Sequence, residues 1–505
     1  MLPKNLKYGS KIESAYARSM RSNIQPQNGT GPYNLGDTII INIPTRAGLC
    51  LVPNESYLKF NVNINSGTAN NAFRWDSAGS HCIIQKITVY NGSNMLQQID
   101  NYGMLAKLLF DLQLPTDATY GKYNLLCGTR ADTVAKTINA FPTIAAVATI
   151  PVATPANLDA TVTNTNTAIT NVNVAITNIN AALALATSTN ISANQVNSGE
   201  RIGGDGALNG TGAVASQTYC LSLISLVGVL CSQNYIPLWE MSSAPLRVEI
   251  QLVDQLVKAC NVLTNGTAIS TATLTNVEYI GNFIELGDPA IAMIKDSLGG
   301  QPLQFVVPDY RNYVYNYTMT DGASASIAMP IAAKFSSLKA IFISVRDQNV
   351  GAVTYFPYSS VTRNILDYQF RIGANVFPPK PPNTLPEMFA ECLKAIGSIS
   401  DINQQPSIDK FSYTLVNSGN TAALRDTATS VSSQYSGSFY IGIDLESYAN
   451  ADKSQLFSGY NSNSDDCYAI LNFGTQTGAN NIRFDAFANF DCVVICENNT
   501  CYVKF

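Results

Sequence analysis

The single histidine is the first place to look for chemistry in this 505-residue chain, because His81 stands beside Cys82 and an imidazole can activate a neighbouring thiol. Adjacent residues on a strand point to opposite faces, so the pair reads as structural. One histidine also excludes any paired-histidine metal site, H-E-x-x-H included. Asp465-Asp466, following Ser462-Asn463-Ser464, could hold a hard cation at a loop tip, but a solvated turn is the plainer reading. No phosphate-cradling G-x-x-x-x-G-K-[ST] loop or dinucleotide fingerprint occurs, and Gly203-Gly204-Asp205-Gly206 reads as a flexible return segment. The expectation is therefore no catalytic residues, no metal ligands, no cofactor and no enzyme.

The eleven cysteines, from Cys50 to Cys501, include no C-x-x-C pair. Most sit in apolar patterns, as Cys82, Cys220 and Cys392 do, and read as buried free thiols. Cys496 and Cys501 flank the turn Glu497-Asn498-Asn499-Thr500 and could face each other across a hairpin. The expectation is that they stay reduced, because nothing else points to an oxidising compartment. Met1-Leu2-Pro3-Lys4 leads into no signal peptide, and the apolar stretch from Leu221 to Leu230 is too short to cross a bilayer, so assembly inside a cell is expected.

The chain is too long for one ordinary core, and two β-domains of ~200 residues each are the natural division. Only 13% of residues are charged and the net charge is −5. That suits a surface packed against copies of itself and argues against a dedicated nucleic-acid binder, which needs a basic stripe. A first series of strands includes Ile39 to Ile43, Leu58 to Ile64, Ile83 to Tyr90, Met95 to Ile99, Thr218 to Leu226, Leu246 to Leu252 and Leu274 to Leu286. A second series runs from Leu303: Val306-Val307, Tyr313 to Tyr317, Leu338 to Val345, Tyr368 to Ile372, Phe439 to Leu445, Cys467 to Phe473, Ile482 to Phe487 and Cys492 to Cys496. Strands separated by Gly, Asn and Pro turns predict antiparallel sandwiches, and eight strands in two sheets is the jelly-roll count.

Two helices interrupt the strands at matching places. Met104, Leu105, Leu108, Leu109 and Leu112 match Met388, Phe389, Cys392, Leu393 and Ile396 position for position, at an offset of 284 (388 − 104). The spacing predicts that each buries one face. The second should open with a capping box from Thr384 to Glu387, with Pro386 in its first turn. The prediction is all-β: two tandem eight-stranded antiparallel jelly rolls, each with a short helix, spanning 33–290 and 291–505 and packed as one rigid unit.

Residues 1–32 read as a basic arm with Lys4, Lys7, Lys11, Arg18 and Arg21, either solvated or docking on a membrane, a minor protein or nucleic acid. Ile12, Ala15, Tyr16, Ser19 and Met20 could line a short helix there. Residues 128–216 form a long insertion in the first roll. Its centre carries a heptad of Leu158, Val162, Thr165, Ile169, Val172, Ile176, Ile179 and Leu183. β-Branched core positions favour three strands, whereas Asn and Thr are poor helix formers. A trimeric coiled-coil tower and a β-rich or irregular loop both stay open.

The order of these elements resembles the double jelly-roll major capsid proteins of the adenovirus-like lineage, which includes virophages, Polinton-like viruses, large nucleocytoplasmic DNA viruses and tailless membrane-containing phages. The resemblance rests on Gly36 to Pro44 leading to Ser56-Tyr57-Leu58-Lys59-Phe60, and on Tyr235-Ile236-Pro237-Leu238 leading to Pro245 to Ile250. In the second half it rests on Ser337-Leu338-Lys339, Tyr368 to Gly373 and Ile443-Asp444-Leu445-Glu446. It implies a pseudo-hexagonal homotrimeric capsomer tiling an icosahedral virion shell, with the insertion as an outward tower on the trimer axis and the arm facing inward. Implied partners are neighbouring capsomers, minor capsid and penton proteins, and an internal membrane or the genome through the arm. The alternative is a β-sandwich fibre or adhesin binding host-surface glycans; a carbohydrate-active sandwich would need two facing carboxylates.

Overall fold

The computed structural model describes residues 17–65, 72–128, 163–180, 201–202, 214–232, 234–263, 272–348, 356–397, 399, 405–416, 436–447, 458–476 and 480–505. Its first half carries strands β1 (Ala17–Ile24), β2 (Thr38–Ile43), β3 (Tyr57–Asn65), β4 (Ile84–Asn91), β5 (Asn94–Asp100), β6 (Val214–Leu221), β7 (Leu246–Leu252) and β8 (Ala272–Leu286). They form two sheets, in the orders β1-β8-β3-β6 and β2-β7-β4-β5. The second half carries β9 (Leu303–Met319), β10 (Ala325–Ile331), β11 (Leu338–Asp347), β12 (Ile365–Ile372), β13 (Asn375–Phe377), β14 (Tyr440–Asp444), β15 (Cys467–Phe473) and β16 (Asn480–Glu497). Their sheets run β9-β16-β11-β14 and β10-β15-β12-β13. Adding eight to each label of the first pair of sheets gives the second pair. Every one of these pairings is antiparallel, so the chain is a jelly roll made twice.

Period-two burial explains the sheets. In β3 Leu58, Phe60 and Val62 are buried, and in β12 Tyr368, Phe370 and Ile372 are buried, with the residues between them turned outward. The β4–β5 and β12–β13 hairpins turn at Gly92 and Gly373, both with positive φ (61° and 58°), which glycine adopts without a Cβ penalty. A small additional sheet of Ala72–Trp75, Cys260–Leu263 and Arg201–Ile202 extends one end of the first roll.

Several boundaries differ from the sequence reading. Ala17–Ile24 is the first strand of the first roll, paired with β8 from Ala17↔Leu286 to Ile24↔Tyr279. The arm therefore gives up its second half: Arg18 and Arg21 are strand residues, and Ser19 and Met20 line no helix. Arg18 pairs with Glu285 and Arg21 donates to the Tyr57 hydroxyl. Lys4, Lys7, Lys11, Ile12, Ala15 and Tyr16 lie outside the described residues. The fragments at Val306 and Tyr313 are one 17-residue strand, and those at Ile482 and Cys492 one 18-residue strand. The count of eight is completed instead by β10 and β13. β10 carries little strand signal because Ser326, Ala328 and Pro330 dilute its outward face, a composition an edge strand tolerates. The stretch from Thr218 to Leu226 is strand only as far as Leu221.

The two matched helices are α1 (Tyr102–Gln113) and α4 (Leu385–Lys394), each placed between the fifth and sixth strands of its roll. Between them in the chain lie α2, residues 163–180, and α3 (Asp288–Leu298), which links the rolls across the expected 290/291 boundary. Two cores hold the molecule. One lies wholly in the second roll. The other fills the first roll and continues onto the outer face of the second, taking in Tyr310, Phe342, Tyr440 and Phe487.

Candidate functional site: the junction of the two rolls and its open surfaces

His81 is fully enclosed. Its Nδ1 lies 2.9 Å from the Tyr102 hydroxyl and its Nε2 3.8 Å from Cys127 Sγ, a neighbour that no sequence spacing indicated. Burial pushes the imidazole down to about 3 and the Cys127 thiol up to about 12, so both are neutral and the contact has no base with which to make a thiolate. Asp465 and Asp466 form a tied turn: Asp465 accepts from the Tyr460 hydroxyl and Asp466 pairs with Lys334 at 3.4 Å. Among the described residues no group of three His, Cys, Asp or Glu side chains could hold a metal ion. Gly203 to Gly206 lie outside the described residues.

Cys496 and Cys501 are bonded, contrary to the expectation from sequence. They are opposed in the hairpin between β16 and a short final strand β17 (Thr500–Lys504), with Cα atoms 4.2 Å apart. That is the close, non-hydrogen-bonded kind of cross-strand pair, so register alone brings the sulfurs together. The hairpin docks on the first roll. Asn94 Nδ2 donates to the Cys501 carbonyl at 3.0 Å, the Cys501 N–H donates to Asn91 Oδ1 at 3.0 Å, and the Ser243 N–H donates to the Asn499 carbonyl at 3.1 Å.

The junction is built around α1. Every residue from Tyr102 to Leu112 is buried, including Lys107 and Asp111. Lys107 Nζ lies 2.8 Å from Asp111 Oδ2 and 3.3 Å from Asp76 Oδ1, and donates to the hydroxyls of Ser77 (2.9 Å) and Ser438 (3.3 Å). The Tyr440 hydroxyl donates to Asp111 Oδ2 at 2.8 Å. Burial alone would lower the pKa of Lys107, but Asp111 and Asp76 outweigh it and hold the ammonium charged. Ser438 and Tyr440 come from the second roll, so one buried ion cluster spans both halves. Beside it, Gly103 admits the ring of Tyr358, whose hydroxyl donates to the Cys82 carbonyl at 3.2 Å; a Cβ at Gly103 would meet the Tyr358 hydroxyl oxygen at 2.7 Å.

A second polar bridge joins β5 to β9. Gln97 Nε2 donates to Asp309 Oδ1 at 2.7 Å while Gln97 Oε1 accepts from the Leu226 N–H, also at 2.7 Å. Burial raises the Asp309 carboxyl to about 6. Sequence reasoning missed Lys107, Asp111, Gln97 and Asp309; the one available signal was a charged pair inside an apolar helical stripe.

Three surfaces stay open. The heptad residues Ile169, Val172, Ile176 and Ile179 fall on α2, which is helical over 163–180, with Val172 and Ile179 about half exposed (48% and 47%). Leu158, Val162 and Leu183 lie outside the described residues. α3 buries none of its residues and exposes Met293, although Lys295 pairs with Glu240 and lies over the Trp239 ring. A crevice of about 560 Å³ opens between the rolls, walled by α1 and the 224–234 loop on one side and by β9, β11, β14 and β16 on the other. Among the described residues no helix is long and apolar enough to cross a membrane.

No protein-family profile matches the sequence, and no curated protein matches it. Solved structures do. VP54 of PBCV-1, fitted into a reconstruction of the virophage Sputnik, superposes with a TM-score of 0.56 at 9% identity, covering 98% of this chain and 99% of that one. The mavirus major capsid protein gives 0.52 at 12% identity over 100% and 93% of the two chains. The Faustovirus major capsid protein gives 0.52 at 10% identity over 97% and 92%. Two sandwiches of identical strand order, alike end to end with these proteins, give the chain the double jelly-roll fold of viral major capsid proteins.

Proposed function

We propose that this chain is a major capsid protein that assembles as a homotrimer with a pseudo-hexagonal outline and tiles an icosahedral virion shell. The observation that carries the reading is the twofold repeat itself. Three copies of two like walls make six like walls, the shape that closes a flat lattice without gaps. Whole-length likeness to capsid proteins supports it, as does a surface poor in charge. The work of the molecule is then assembly, and its neutral His81 and Cys127 have packing roles.

The heptad of α2 supports placing that helix on the threefold axis. Among the described residues Val172 and Ile179 are about half exposed and Ile169 and Ile176 half-buried, and β-branched core positions favour a three-stranded seam. Neighbouring capsomers, minor shell proteins and vertex proteins would meet the remaining lateral and basal faces. The test is the mass of the soluble assembly together with negative-stain images. A stable particle of three 54.3 kDa chains with a hexagonal outline is expected. A persistent monomer, or elongated rods, would overturn the reading.

A further inference from the structure

The junction within one chain pairs a helix with a sheet. The α1 stripe of Gly103, Lys107 and Asp111 meets Tyr358, Ser438 and Tyr440 of the second roll, and the sheet it lies on is β9-β16-β11-β14. On β11 the outward residues Ala340 and Phe342 belong to the core around α1, whereas Ile341 and Ile343 belong to the core of the second roll. Each roll has both parts, yet only one helix-to-sheet pair is made within the chain. At the 284-residue offset the α1 stripe becomes Glu387, Glu391 and Ala395 on α4 (387 − 103, 391 − 107, 395 − 111), and none of the three is buried. The counterpart of the covered sheet is β1-β8-β3-β6, where the outward residues of β3, Lys59, Asn61 and Asn63, are not buried either.

These two unused surfaces complement each other in charge. On α4, Glu387 and Glu391 outnumber Lys394, which lies 2.5 Å from Glu391. On the sheet, Lys59 pairs loosely with Glu278 at 3.7 Å, and Arg21 reaches the same face by donating to the hydroxyl of Tyr57, two residues before Lys59 on the strand. Two cations there share one carboxylate. Four polar side chains of that face are already bonded to one another: Thr218 Oγ1 donates to Asn61 Oδ1 at 2.7 Å and Asn63 Nδ2 to Thr275 Oγ1 at 2.9 Å, so covering them leaves each with a partner. Symmetry supplies the occupant. In a ring of three chains with a near-sixfold outline, the step from first roll to second is repeated as the step from that second roll to the first roll of the next copy.

We propose that α4 of one copy docks on the outer face of β1-β8-β3-β6 of the next, with Glu387 and Glu391 set against Lys59 and Arg21. The inference rests on the homotrimer reading and names its subunit contact, a polar version of the junction that α1 makes within the chain. Zero-length carbodiimide coupling of the assembled full-length protein tests it on the wild-type sequence. The expected products join Lys59 to Glu387 or Glu391, run as two or three chains on a denaturing gel, and fall several-fold in yield in high salt, where exposed charges are screened. Lys59→Glu and Glu391→Lys should each lower the trimer fraction several-fold by light scattering with far-UV circular dichroism unchanged, and the doubly reversed chain, Lys59→Glu/Glu391→Lys, should recover it. A wild-type monomer would sink the homotrimer reading and this contact with it. A wild-type trimer in which these couplings do not form between chains, or which both single reversals leave intact, would overturn this contact and leave the capsid reading standing.

Discussion

α1 and α4 occupy the same place in two copies of one fold and carry the same apolar stripe, yet only α1 is enclosed. Met388 and Cys392 are the buried residues of α4, whereas α1 has no exposed face from Tyr102 to Leu112. The second roll lies against α1; no third roll lies against α4. The difference teaches that a repeated sequence pattern fixes which face a helix turns to its own sheet, while its other face is decided by what packs outside. At α1 that outside is protein, so Lys107 and Asp111, which would be solvated on a free helix, become an internal cluster with Asp76 and Tyr440.

The sharpest way to break the comparison is to remove the central charge. Lys107→Ala leaves Asp76 and Asp111 buried without their cation and should cost about 3–5 kcal/mol. Lys394→Ala on exposed α4 should change stability by less than about 0.5 kcal/mol. Urea unfolding of the two variants measures both, and similar costs would mean that α1 is not enclosed. The next largest effect concerns the second bridge. Asp309 titrates near 6 when folded, above its ordinary 3.8, so the folded state holds the proton more tightly and stability rises as pH falls from 7 through that value. This one group's contribution should reach roughly 2.4 kcal/mol by pH 4 and level off at about 3 kcal/mol only below the unfolded value. Asp309→Asn should remove this component and be the more stable form at pH 7.5, as read by thermal unfolding at pH 4.5 and 7.5.

The C-terminal hairpin sharpens the contrast further, since β17 has no counterpart in the first roll and clasps it. The Cys496→Ser/Cys501→Ser variant opens a loop of sequence separation 5 and should lose about 2 kcal/mol. Mass spectrometry of the alkylated, unreduced protein should find the two sulfurs protected while the other nine cysteines are free. The smallest effect is at the helix starts. Thr384 accepts from the Glu387 N–H, and Thr384→Ala should cost about 1 kcal/mol. α1 has no side-chain cap and begins at Asn101 in the left-handed region (φ 53°), so Asn101→Gly should be nearly neutral.

Much of this architecture was legible because alternation is a local property. Leu58, Phe60 and Val62 declare a strand, and the 284-residue offset between the helices declares the repeat. The α4 cap was readable for the same reason, with one change: the Glu387 carboxylate accepts from the Asn383 N–H, one residue before the cap. Strand β1 was obscured by its charges, because Arg18 and Arg21 sit on an edge strand and stay hydrated while its backbone pairs with β8. The disulfide was not legible, because hairpin register, not compartment, brings its two sulfurs together.

From residues alone came the two sandwiches, the paired helices, the absence of any paired-histidine chemistry and the heptad now found on α2, all properties of short windows with a fixed period. Tertiary structure alone decided that the rolls share a core, that Lys107 and Asp309 sit at their junction and that His81 meets Cys127. Those contacts join residues from 46 to more than 300 positions apart, and no local periodicity encodes which outer face a neighbouring domain will cover.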